Sequence, residues 1–182
     1  MKTTKIVFCI ITVFFSFSIN AAVKTFVVTE EDHRRIIEES ISLRLRFLRL
    51  IEEDAAAFEP LSRAYSMDKN APDYAYVMRT AILQAAAAPF EMMQNCCTLI
   101  VLLEELCEKC SALLLSDVGC AAVAARAALD AASMNVFVNT RLLPGDPDAE
   151  RLSLLAADML EQFIPRVQRI AESVMNHLRV SE

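Results

Sequence analysis

Apolar positions recur at three- and four-residue steps along most of this chain, and that period predicts helices. Ile37, Ile41, Leu45, Leu48, Ile51 and Ala55 trace one stripe. Thr29, Glu30, Glu31 and Asp32 precede it as a capping box with acidic residues in the first turn. Pro60 is expected to kink or end this helix near Phe58, with a short continuation through Leu61, Ala64 and Tyr65. Arg34, Arg35, Arg44, Arg46 and Arg49 read as its solvated face. After a loop at residues 68–72, with Pro72 suited to a first helical turn, Tyr74, Val77, Met78, Ala81, Ile82 and Ala85 give a second stripe up to Ala88. Pro89 is expected to restart the chain. Residues 90–115 then form a long helix whose nearly all-apolar run at 99–103 marks it as a candidate central helix. Ser116 and Asp117 are placed to cap a further helix. In that helix Gly119, Ala121, Ala122, Ala124, Ala125, Ala127 and Ala128 make a thin surface, open to close helix–helix approach within a bundle or between subunits. Residues 143–147, Leu-Pro-Gly-Asp-Pro, are the clearest turn, and the last helix runs from about Asp148 to Arg179 with Pro165 as a kink. The expected fold is all-α, an antiparallel bundle of about five main helices forming one domain over residues 23–182.

Composition narrows this picture. Two glycines and six prolines among 182 residues are too few for a turn-rich β protein. The net charge is −6 and no run of Lys and Arg exceeds a pair, so no nucleic-acid partner is expected, and any anion site must be local. Of the six cysteines, Cys107 and Cys110 have the spacing of a metal or redox pair, but no second pair accompanies them. His33 and His177 stand alone near helix ends, so no metal is expected and the cysteines read as small, partly buried helical residues. Residues 1–22 resemble a secretory signal: Lys2 and Lys5, an apolar stretch at 6–17, then Ala21 and Ala22. The apolar core is short for a comfortable bilayer span. Two expectations follow: export or membrane tethering through this stretch, or a misassigned start on an intracellular domain. Five cysteines in helices without disulfide-type spacing favour the second.

Four segments then occur in a telling order: residues 51–58 (Ile-Glu-Glu-Asp-Ala-Ala-Ala-Phe), 88–91 (Ala-Pro-Phe-Glu), 116–119 (Ser-Asp-Val-Gly) and 131–140 (Ala-Ala-Ser-Met-Asn-Val-Phe-Val-Asn-Thr). Together they resemble the cyclodeaminase/cyclohydrolase family over about residues 30–180. That family includes the deaminase domain of formiminotransferase-cyclodeaminase and the methenyltetrahydrofolate cyclohydrolases. The resemblance implies a helical bundle that forms a homodimer, in the cytoplasm, acting on a tetrahydrofolate derivative in histidine degradation or one-carbon metabolism. The family's Pro- and triple-Gly-rich loop before its first helix has no counterpart here; the apolar leader stands in its place. That departure motivates an alternative, an N-terminally degenerate, non-catalytic relative acting as a helical binding or scaffold protein.

Within the implied chemistry, cyclodeamination needs a general acid for the departing ammonia, and cyclohydrolysis needs a base for the attacking water. One carboxylate could serve either reaction and steady the cationic carbon. Asp117 is the first candidate, at a helix start where the dipole favours negative charge. Asp54 is the second, just before an Ala-rich stretch and a proline. Asn135 and Asn139, four residues apart on one helix face, could hydrogen-bond the pterin or the p-aminobenzoyl-glutamate portion, or simply bridge helices. Arg126 and Arg141 could grip a glutamate carboxylate in bidentate fashion.

Overall fold

The computed structural model describes residues 30–179, apart from the side chain of His33; the signal-like stretch 1–22 and the capping Thr29 lie outside them. Four α-helices follow one another: α1 (Glu30–Ala64), α2 (Tyr74–Lys109), α3 (Leu115–Thr140) and α4 (Pro147–Arg179), with one 3-10 turn at Ala112–Leu114. No strand occurs among the described residues. Helix α2 is the centre, packed against α1, α3 and α4, while α3 and α4 also pack on each other as an antiparallel hairpin.

Four helices stand among the described residues, close to the expected bundle of about five, and Pro89 does not interrupt α2. A proline inside a helix leaves the carbonyl four residues earlier without its N–H. For Pro89 that carbonyl is Ala85 O, on a residue only 6% exposed. The side chain of Asn139 on α3 fills the gap: its Nδ2 donates to Ala85 O at 3.3 Å. Pro60 and Pro165 also sit inside helices, α1 and α4. The carbonyls they free belong to Ala56 and Glu161, both exposed, where water can serve. Helix α2 therefore continues through its proline because a neighbouring helix supplies the missing donor.

The α1 stripe also differs from expectation. The buried face runs through Ile36, Ser40, Leu43, Phe47, Leu50, Leu61 and Ala64, while Ile41, Leu45 and Leu48 are more than two-fifths exposed. The polar Ser40 and Asp54 occupy the buried register and disguise it. Arg35 and Arg46 are not a solvated face either; they cross to α2 and pair with Glu105 and Glu91. Helix α3 starts at Leu115 with Leu114 at the cap and no side-chain capping bond, so Ser116 is not the cap, although Asp117 does lie in the first turn. Tyr74, not Pro72, opens α2.

Gly119 shows why α3 and α4 approach closely. A Cβ built there would stand 2.7 Å from Val174 Cγ1 of α4. At the opposite end Arg79 of α2 pairs with Asp146 and Asp148, tying the α3–α4 turn to the central helix. Gly145 in that turn has φ +78°, the left-handed conformation that favours glycine. Asp146 then accepts from the N–H groups of Asp148 and Ala149 and caps α4.

Candidate functional site

The core is divided. A main cluster unites the upper part of α1, down to Leu50, with α2, α3 and α4. A smaller one joins Leu61, Ala64, Ala81, Ile82 and Ala85. On α1 the two are separated by Asp54 and Ala57, which occupy the core-facing register between Leu50 and Leu61. A carboxyl group thus interrupts an apolar seam. It is half-buried, and that burial pushes its pKa above the ordinary carboxylate value. Arg46, about two turns earlier on α1, is already held by Glu53 and Glu91. Glu91 in turn is drawn below its ordinary value by that guanidinium.

The antiparallel pairs Arg35–Glu105 and Arg46–Glu91 fix the register of α1 on α2. Projected along the helices, they set Asp54 level with roughly residues 83–86 of α2. Asn139 reaches α2 at the same level, through Ala85 O. Asn135 lies one turn away on the same face of α3, and Pro89 lies one turn from Ala85. At this level α2 buries Ala85, Ala86 and Ala88, side chains that take little room, and leaves Ala87 exposed. Both asparagine amides donate into their own helix, Asn135 Nδ2 to Ala131 O and Asn139 Nδ2 to Asn135 O, each at 2.9 Å. Those bonds fix the two side chains in place and use only their Nδ2 groups.

The other sequence candidates lie elsewhere. Asp117 is eighteen residues from Asn135 on one helix, a separation of roughly 27 Å. Asp117 is partly exposed, and it does not line the nearby groove of about 450 Å³ between α3 and α4, whose walls include Gly119, Cys120, Val123 and Met175. Arg126 is exposed on the α4 side of α3, donating to Gln168 at 3.1 Å and standing 3.8 Å from Asp130. Arg141 lines a hollow of about 680 Å³ at the α3–α4 turn with Phe137, Thr140 and Ser153. Within one chain, Asp54, Asn135 and Asn139 share a level; Asp117 and Arg126 do not join them.

Cys107 and Cys110 are half-buried at the end of α2, and burial raises both thiols, which makes reactive thiolates scarce. Cys97 is pushed up to about 11 for the same reason. What the sequence concealed was the Ala85–Pro89–Asn139 arrangement. Its signal was present: a proline beside alanines, with a pair of asparagines elsewhere able to serve the carbonyl it frees.

The profile of the formiminotransferase-cyclodeaminase family matches residues 15–157, most of the chain. The chain belongs to this family. The match begins inside the apolar leader, at residue 15. Among curated relatives, the methenyltetrahydrofolate cyclohydrolase of Methylorubrum extorquens is 30% identical over 155 residues, covering 83% of this chain and 74% of that protein. Among solved structures, formiminotetrahydrofolate cyclodeaminase from Thermotoga maritima superposes with a TM-score of 0.76 at 21% identity, covering 94% of this chain and 86% of that one. As a formiminotransferase-cyclodeaminase family member the chain shares its helical architecture with that structure. Its membership sets folate one-carbon chemistry as the frame for the Asp54 level. It does not favour the degenerate, non-catalytic alternative.

Proposed function

We propose that this protein is an enzyme acting on the carbon that bridges N5 and N10 of a tetrahydrofolate, as a formimino cyclodeaminase or as a methenyl cyclohydrolase, and that it works as a homodimer. The observation that carries the reading is the half-buried carboxyl of Asp54 in the apolar seam of α1, level with Asn135 and Asn139. A carboxyl whose charged form is disfavoured holds its proton to higher pH, and it is the stronger base once ionised. In cyclodeamination N10 attacks the formimino carbon, and Asp54 protonates the departing amine. In cyclohydrolysis Asp54 takes a proton from the water that attacks the methenyl carbon. Both routes pass through the same cationic amidinium-like carbon, which the ionised Asp54 carboxylate can also steady.

The asparagines suit the role of orienting groups. With their Nδ2 atoms bonded into the helix, their Oδ1 atoms are the acceptors left for N–H groups of a pterin or an amide. Arg141, two residues from Asn139, is the cation for a glutamate carboxylate; Arg126 lies on the α4 side of α3, away from this level. No metal is needed for either reaction. The test is absorbance of the methenyl chromophore with purified protein. Appearance from the formimino substrate identifies a cyclodeaminase, and accelerated loss of the methenyl compound identifies a cyclohydrolase. Asn135→Ala should raise KM more than it lowers kcat. Absence of both activities refutes the reading.

A further inference from the structure

Three of the four long helices carry an interior proline, and the three are not alike. Pro60 and Pro165 free carbonyls on exposed residues, Ala56 and Glu161. Pro89 frees Ala85 O in the seam where α2 meets α3, and a side chain of α3 comes to it. The bundle alone would be served better by alanine at position 89, the stronger helix former, which would pair Ala85 O within α2. What the proline does that alanine could not is take hold of Asn139.

Asn139 Nδ2 donates to two carbonyls, Asn135 O of its own helix at 2.9 Å and Ala85 O of α2 at 3.3 Å. One anchor would let the planar amide swing; two set its plane. They set its polarity as well, because a flipped amide would bring Oδ1 against two carbonyl oxygens. Oδ1 therefore points away from both, as an acceptor. Among the described residues nothing donates to it. It is not sealed off either, since the buried side-chain atoms without a partner are Ser40 Oγ, Arg44 Nε and Ser111 Oγ. Asn135, one turn earlier on the same face, is turned the same way by Ala131 O alone. Of the two asparagines, Asn139 is the one fixed from a second helix.

We propose that Pro89 is a positioning residue for the folate site: by withholding an N–H from Ala85 O it makes that carbonyl the second anchor of Asn139, and so presents Asn139 Oδ1 as a fixed acceptor for an N–H or amino group of the pterin. The proposal rests on the folate reading and adds to it the origin of specificity at the asparagine level. A donor-bearing edge finds a partner there, and an acceptor-bearing edge leaves two acceptors facing each other unpaired. Pro89 acts on the substrate only through the Asn139 amide.

Tetrahydrofolate carries no one-carbon group for the enzyme to process, so its binding isolates this role from turnover. Titration calorimetry in the absence of oxygen compares wild type, Pro89→Ala, Asn139→Ala and the double variant. Pro89→Ala should weaken binding by about three- to tenfold, the scale of one ordinary hydrogen bond, and raise KM by a similar factor while kcat stays within about twofold. Its urea midpoint should not fall, so poor folding does not account for the loss. Asn139→Ala deletes the acceptor and should weaken binding at least as much. Adding Pro89→Ala to it should cost nothing more, because the proline acts through that amide. The Asn139 side-chain amide protons, followed by NMR, should exchange with solvent several-fold faster in Pro89→Ala than in wild type. Unchanged affinity and KM in Pro89→Ala overturn the proposal and leave the folate reading standing, and so does a further full loss in the double variant. A protein that shows these binding differences but turns over neither folate loses the catalytic reading and keeps the positioning role of Pro89. A wild type that binds no tetrahydrofolate overturns both.

Discussion

Asn139→Ala tests why α2 runs unbroken through Pro89. The substitution removes the donor to Ala85 O, a carbonyl on a residue 6% exposed whose ordinary helical partner Pro89 cannot supply. Leaving a buried acceptor unpaired costs about 1–3 kcal/mol, beyond the 0.5–1.5 kcal/mol of an ordinary hydrogen bond. Pro89→Ala returns an N–H to that carbonyl, so in the Pro89→Ala background the same Asn139→Ala change should cost only the ordinary amount. The double-mutant cycle should therefore show a coupling of roughly 1–2 kcal/mol, well outside the error of additivity for independent sites. Urea unfolding followed by circular dichroism at one protein concentration, with unchanged slopes, gives all four corners. Equal costs of Asn139→Ala in the two backgrounds refute the account of how α2 continues.

Other consequences follow from the same structure. Asp54→Asn should raise Tm at pH 7 while lowering activity. Burial raises the folded-state pKa of this carboxyl, so its favourable contribution is present below the unfolded value and is lost as pH rises through the folded one. The advantage of the variant in thermal melts should accordingly shrink as pH falls below about 4. Arg46→Met should lower Tm at neutral pH. Glu91 is held below its ordinary value by Arg46, so that contribution is present above the unfolded carboxylate pKa and disappears as pH falls through the folded one. Melts of this variant and wild type should converge at low pH. Gly119→Leu should destabilise by about 1–3 kcal/mol through collision with Val174. Gly119→Ala made in a Val174→Ala background should instead stabilise by up to about 1 kcal/mol, since alanine is the better helix former. Urea midpoints distinguish these outcomes.

Helix content, the turn at residues 143–147 and the central place of residues 90–109 were legible from period and composition. The buried face of α1 was not. Ser40 and Asp54 lie in its core register, so a search for apolar steps selects the neighbouring stripe of Ile41, Leu45 and Leu48, which the described structure leaves substantially exposed. The continuity of α2 was illegible for a different reason: a buried proline is tolerated when another element serves the freed carbonyl, and Asn139 is 54 positions from Ala85. The asparagine spacing was visible, and one role assigned to it, bridging helices, is present for Asn139. Weighing Asp54 against Asp117 required position in the fold: Asp54 lies in the core-facing register of α1 at the level where Asn139 meets Ala85, and Asp117 stands at the far end of α3.

The most direct test of the central claim is the pH–rate profile of wild type and Asp54→Asn protein, measured by methenyl absorbance on whichever folate the wild type turns over. The account predicts that wild-type kcat/KM depends on a carboxyl titrating above the ordinary carboxylate range, and that the variant is slower by about 10²–10⁴-fold with that dependence gone. A variant that retains wild-type turnover and the same profile contradicts it.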